Sequence, residues 1–140
     1  MRIKSLHVNH IMPTKGTEQA GAYDIYMPES GNTYNSQVVK VKLGFAAEIP
    51  QGYVGLLLPR SGVGVNLGLE LNNTCGVIDS DYRGEWVAAI KTKDASPIVW
   101  KAGDRLLQFL IVPVLSVTLE YVDDLNTTDR GNSGFGSSGS

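Results

Sequence analysis

In the run from Val38 to Leu43, apolar and charged residues alternate, with Val39, Val41 and Leu43 on one face and Lys40 and Lys42 on the other. A period of two sends successive side chains to opposite faces, so this run predicts a half-buried β-strand. Five further runs have strand character: Tyr53 to Leu58, Glu85 to Thr92, Pro97 to Trp100, Leu106 to Val114 and Ser116 to Val122. Pro-Gln-Gly, Lys-Asp-Ala-Ser and Ala-Gly-Asp separate them as turn signals. No long amphipathic helical pattern competes, and a single short helix is expected from Ser61 to Val65. Many short strands, with 16 glycines and six prolines, predict an all-β fold: a sandwich, a barrel or a jelly roll.

A chain of 140 residues has the usual size of one domain. Twelve basic and 14 acidic residues leave a net charge of −2, which argues against a nucleic-acid or anionic-membrane surface. The first ten residues, MRIKSLHVNH, hold no continuous apolar stretch, and the apolar run Leu106 to Leu115 is interrupted by Gln108 and Pro113. A soluble, unexported, cytoplasmic protein is expected, in the host cytoplasm if the source is a phage or virus. Cys75 is the single cysteine, so there is no intramolecular disulfide and no thiolate metal cluster. It reads as a small buried apolar residue in a strand. His7 and His10 read as surface residues, too few for a metal site.

The segment Gly76 to Glu85, GVIDSDYRGE, sets two aspartates and a tyrosine between glycines in strand-like surroundings. Val77 and Ile78 favour a strand, Asp79, Ser80 and Asp81 a turn, and Gly84 a backbone that other residues avoid. A tight β-hairpin is expected there, with ionisable groups facing a cleft; a solvated turn fits the same residues. Pro59-Arg60-Ser61-Gly62 follows an apolar strand and offers a guanidinium, a hydroxyl and backbone N–H groups to an anion, although an exposed arginine at a turn has the same signature. Gln108 is the polar residue in an apolar strand, behind the turn Gly103-Asp104-Arg105; it either bonds neighbouring backbone or faces a site. Ala20 to Tyr26, AGAYDIY, reads as an edge strand with Asp24 as its acid. Asn72 and Asn73 offer amides that can read a pyrimidine edge, or simply make a turn. After Val122 the chain runs DDLNTTDRGNSGFGSSGS, the composition of a flexible arm. Arg130 and Phe135 set an anion-binding fork and a flat apolar ring into it, suited to ordering on a phosphorylated aromatic ligand.

Taken in order, AGAYDIY, PRSG, NNTCGVIDSDYRGE, GDRLLQFLIVPV and RGNSGFGSSG resemble the five motifs of the trimeric dUTPase family, from about Ala20 to Gly139. That resemblance implies a distorted jelly-roll β-barrel over residues 1–122 and a flexible C-terminal arm over 123–140. It implies a homotrimer whose active sites are each built from three chains and closed by the arm of one. The implied reaction is hydrolysis of dUTP to dUMP and pyrophosphate by in-line attack of water on the α-phosphorus, which keeps uracil out of DNA and supplies dUMP. Asp79 would activate the water, with Gln108 helping to place it. Asn73, Gly76 and Ile78 would hold uracil, and Tyr82 would pack on the deoxyribose and leave no room for a 2′-hydroxyl. Arg60, Ser61 and Gly62 would hold the α- and β-phosphates. Arg130, Gly136, Ser137 and Ser138 would close on the γ-phosphate while Phe135 stacks on the base. Mg²⁺ would be held by phosphates and water, with no direct protein ligand and Asp24 acting through water.

This chain departs from the family pattern at Ala22 and Ser133, where glycine is common, and at Ser138, where threonine is typical. Two other readings share these residues: a dCTP deaminase of related fold, and a nucleotide-sensing protein that regulates a protein partner. For the latter, Pro28 to Gln37 is the candidate contact segment, expected to be a plain loop.

Overall fold

The computed structural model describes residues 1–134, which form eleven strands and one helix. In order these are β1 (Arg2–Ser5), β2 (Tyr23–Ile25), β3 (Gly31–Thr33), β4 (Val39–Lys42), β5 (Phe45–Glu48), β6 (Tyr53–Pro59), α1 (Ser61–Leu67), β7 (Leu69–Leu71), β8 (Gly76–Ile78), β9 (Val87–Thr92), β10 (Ile98–Trp100) and β11 (Leu107–Pro113). All pairings are antiparallel. A four-stranded sheet runs β2-β11-β6-β8, a three-stranded one β4-β9-β7, and two ribbons join β1 to β5 and β3 to β10.

The longest apolar strands, β6 and β11, pair over their full lengths, from Leu107 opposite Pro59 to Pro113 opposite Tyr53. Pro59 and Pro113 both sit at strand ends, where a missing N–H costs no central ladder bond. Period two then sorts β11: Leu107 and Phe109 are fully buried, while Gln108 points to the opposite face. Phe109 meets Trp86 edge-on at 5.1 Å between ring centroids, and Trp86 lies 5.0 Å from Phe45. Such pairs add about 0.5–1.5 kcal/mol each beyond the burial of their area. Around them pack Ile25, Met27, Leu43, Leu57, Leu69 and Ile90, closing the sheets over one core.

Several expectations change. Ser116 to Val122 forms no strand: Leu115 and Leu119 are 90% and 91% exposed, and Val117 and Tyr121 also stand in solvent. Alternation is a local property, whereas a strand needs a neighbour to pair with, and none of the described strands pairs with this segment. Gly76 to Glu85 is not a hairpin either. β8 pairs with β6, and β9 with β4 and β7, so the turn between them crosses from one sheet to another. β9 begins at Val87 because Glu85 turns inward, accepting the Gly44 N–H at 3.2 Å and pairing with Lys42 at 3.1 Å. The helix extends to Leu67 and stops at Gly68, whose φ of 66° is the left-handed cap that glycine takes most easily. Pro28 to Gln37 contains β3 and a turn closed by the Gln37 N–H on the Tyr34 carbonyl. His7 and His10 are partly buried, and Cys75 is half-buried at a bend before β8. None of the helices described is long and apolar enough to cross a membrane.

Candidate active site

The register of the four-stranded sheet sets Gln108 of β11 opposite Asp24 of β2 on one side and Leu58 of β6 on the other. Cross-strand neighbours share a face, so Asp24 and Gln108 emerge together on the side away from the aromatic core. β6 delivers Arg60 to the same place. Its backbone N–H bonds the Leu106 carbonyl at 2.9 Å, and its own carbonyl receives the N–H groups of Val63 and Gly64, which starts α1 immediately afterwards. Ser61 and Gly62 fall in that first turn, where backbone N–H groups have no intrahelical acceptor.

These residues line one open cleft of about 560 Å³, together with Gly16, Ala20, Gly21, Ala22, Val63 and Leu110. Asp24, only 8% exposed, has each carboxylate oxygen in a charged bond: Oδ1 with Arg60 Nε at 3.0 Å, Oδ2 with Arg105 Nη1 at 3.1 Å. Arg60 Nη1 also donates to the Arg105 carbonyl at 3.1 Å. Two guanidiniums against one carboxylate leave this cluster beside the cleft with one surplus positive charge, which suits a phosphate chain. Gln108 does both of the things its sequence allowed. It lines the cleft while its Nε2 donates to the Pro59 carbonyl at 3.0 Å.

The segment from Asn73 to Tyr82 lies elsewhere. Asn73 is exposed in the turn after β7, its amide donating to the Cys75 carbonyl at 3.1 Å. Gly76 and Ile78 belong to β8, on the far side of β6 from β11. Asp79 lines a separate depression of about 790 Å³ with Ile49, Tyr53, Val77, Asp81 and Arg83. The Tyr82 hydroxyl donates to the Glu85 carbonyl at 3.0 Å. Gly84 serves this ring, not an unusual backbone angle: its φ is not positive, but a Cβ there would fall within 2.6 Å of the Tyr82 Cζ. Arg130 is exposed and bonds the nearby Ser133 carbonyl at 3.1 Å. Phe135, Gly136, Ser137 and Ser138 lie outside the described residues.

One chain therefore unites Asp24, Arg60, Ser61, Gly62 and Gln108, and leaves Asp79 on another face. Two residues escaped the sequence reading: Arg105, which pairs with Asp24, and Arg83, which lines the depression with Asp79. The signal for Arg105 was the acid in AGAYDIY, since a buried carboxylate needs cationic partners and the arginine of the GDR turn enters the same strand that flanks it. Among the described residues no group of three or more His, Cys, Asp or Glu is placed to hold a metal ion. Asp24 nevertheless keeps lone pairs beyond those given to the two arginines, enough to accept from water. That acceptor fits a Mg²⁺ carried by phosphate oxygens and water.

Known proteins resemble this chain in both sequence and fold. The dUTPase family model matches residues 9–139. A deoxyuridine 5′-triphosphate nucleotidohydrolase from Syntrophotalea carbinolica is 38% identical over 145 residues, covering 99% of this chain and 96% of that protein. One from Desulfitobacterium hafniense is 44% identical over 104 residues, 74% of this chain and 69% of the relative. Among solved structures, a mutant dUTPase of Staphylococcus bacteriophage 80alpha with dUpNHpp superposes with a TM-score of 0.90 at 28% identity, covering 99% of this chain and 98% of its own. A mutant dUTPase from phage phi11 of S. aureus, described for coordination of a structural Mg(II) ion, superposes with a TM-score of 0.80 at 28% identity, over 88% and 96% of the two chains. The cleft with its paired arginines, the sheet that carries it and these likenesses lead to one conclusion: the chain belongs to the dUTPase family.

Proposed function

We propose that this protein hydrolyses dUTP to dUMP and pyrophosphate in a site assembled between copies of the chain, in the cytoplasm of its cell or host. The observation that carries the proposal is the separation just described. The phosphate-binding wall of Asp24, Arg60, Ser61, Gly62 and Gln108 and the carboxylate of Asp79 occupy different depressions of one chain, and both are needed for the reaction. Joining copies brings one chain's wall to another's Asp79. The exposed alternating residues Leu115, Val117, Leu119 and Tyr121 support such an assembly, a homotrimer by family likeness, because an apolar run this bare needs a cover.

In this reading Arg60 and the first-turn N–H groups of Ser61 and Gly62 bind the α- and β-phosphates. Asp24 holds Arg60 and Arg105 at fixed positions, so little reorganisation accompanies substrate entry. Asp79 takes the proton from the attacking water, a role worth about 10²–10⁴ in rate. Gln108 has its donor end tied to the Pro59 carbonyl, which leaves the amide oxygen to accept from that water. Asn73 reads uracil with the backbone of Gly76 and Ile78, and the Tyr82 ring excludes a 2′-hydroxyl. Arg130, Phe135, Gly136, Ser137 and Ser138 close over the γ-phosphate and base. Mg²⁺, held by phosphates and water with Asp24 as an outer acceptor, would neutralise part of the triphosphate charge.

The test is pyrophosphate release from dUTP with Mg²⁺ by the wild-type chain, compared with Asp79→Asn. Turnover in the wild type, its loss in the variant and retained binding of dUpNHpp by both are expected. Ammonia release from dCTP would point to a deaminase instead, and undiminished hydrolysis by Asp79→Asn would remove that residue from the chemistry.

A further inference from the structure

The turn between Asp79 and Glu85 carries Asp79 and Tyr82, yet its backbone closes through a long hydrogen bond, 3.2 Å from the Tyr82 N–H to the Asp79 carbonyl. Arg83 reinforces it from outside. Nη1 of Arg83 donates to the Ser80 carbonyl at 2.7 Å and to the Tyr82 carbonyl at 3.1 Å, tying the Ser80–Asp81 peptide to the Tyr82–Arg83 peptide. Nη2 of the same guanidinium lies 3.8 Å from Glu48 Oε1 at the end of β5. Glu48 is in turn held by Arg2 of β1, whose hydrogen bond keeps the Glu48 carboxyl below the usual range. Arg83 also lines the depression that contains Asp79, Ser80 and Asp81.

We infer that Arg83 is a positioning residue, clamping the Asp79–Glu85 turn to the β1–β5 ribbon and so setting where the Asp79 carboxylate and the Tyr82 ring stand. The inference rests on the functional reading above. A planar fork can bridge two carbonyls and reach a carboxylate at once. Lysine supplies the charge without the fork. Placement at this precision matters because displacing a reacting group by about 1 Å can cost on the order of 10²-fold in rate.

The experiment compares full-length wild type with Arg83→Met and Arg83→Lys, measuring kcat and KM for dUTP and UTP beside melting temperature. Arg83→Met is expected to lower kcat for dUTP by about 10- to 100-fold and to narrow the preference for dUTP over UTP, with Arg83→Lys restoring part of both. A residue that only stabilises the fold would lower the melting temperature and the active fraction but leave the dUTP to UTP preference untouched. Wild-type kcat and preference in Arg83→Met would overturn the inference. Should that variant not fold, Arg83→Gln decides by the same two quantities, unchanged values overturning and reduced values supporting it. A wild-type chain inert toward dUTP would instead overturn the functional reading.

Discussion

Asp24 and Arg60 form an ion pair of 3.0 Å in which the carboxylate side chain is nearly buried and the guanidinium about one-third exposed. Arg105 completes it from the other oxygen at 3.1 Å. Removing the carboxylate would leave two guanidiniums facing one another. Asp24→Asn is therefore expected to cost about 1–3 kcal/mol of stability, less than a fully buried pair because both arginines reach water. It is also expected to weaken dUTP hydrolysis. A denaturant midpoint and a pyrophosphate assay check the two effects.

The Tyr82 ring lies against Gly84, so a methyl group at position 84 must displace it. Gly84→Ala is expected to act as a milder Tyr82→Ala, both raising activity on UTP relative to dUTP. Comparing kcat/KM for UTP and dUTP across the three proteins checks this. Unchanged discrimination in Tyr82→Ala would place sugar selection elsewhere.

His10 packs on Phe45 at 5.4 Å between centroids, and its buried Nε2 makes no hydrogen bond. Burial pushes the imidazole below its ordinary range. The folded state then binds its proton less readily than the unfolded chain, so this contribution to stability is complete above about pH 6.5, the ordinary imidazole value, and is lost as the pH falls below it. His10→Phe keeps the ring contact and removes the titration. The variant should lose less melting temperature than wild type between pH 7.5 and pH 5.5.

Leu119 is almost fully exposed in the described chain, so Leu119→Asp should change the stability of a lone copy by no more than about 0.5 kcal/mol. If the segment packs between copies, the same change buries a charge. Sedimentation should then show a shift to smaller species and a parallel loss of activity; an unaltered assembly would exclude the segment from the interface.

Arg130 makes its described side-chain bond within its own turn, to Ser133. Removing residues 130–140 is thus expected to leave assembly and melting temperature near wild type while lowering dUTP turnover by about 10²-fold or more, the usual effect of losing a charge-stabilising donor. Normal activity in the truncated protein would refute the closing arm.

Much of this protein was determined locally. Period two in Val38 to Leu43 and the apolar, strand-like runs Tyr53 to Leu58 and Leu106 to Val114 marked strands because a strand's faces and its burial are set by its own residue order. The five motifs carried the resemblance to the dUTPase family because they are short runs of sequence, legible without the fold. Only the tertiary structure decided which of those side chains meet. The sheet order β2-β11-β6 brought Asp24 to Gln108 and to Arg60, and drew in Arg105 from 81 residues further along the sequence, a residue that had read as part of a turn. The same order sent Asp79 to a different face and left Ser116 to Val122 without a partner strand. Alternation and turn propensity report on neighbours in sequence, whereas ladders, ion pairs and clefts depend on which edges and charges lie side by side in space.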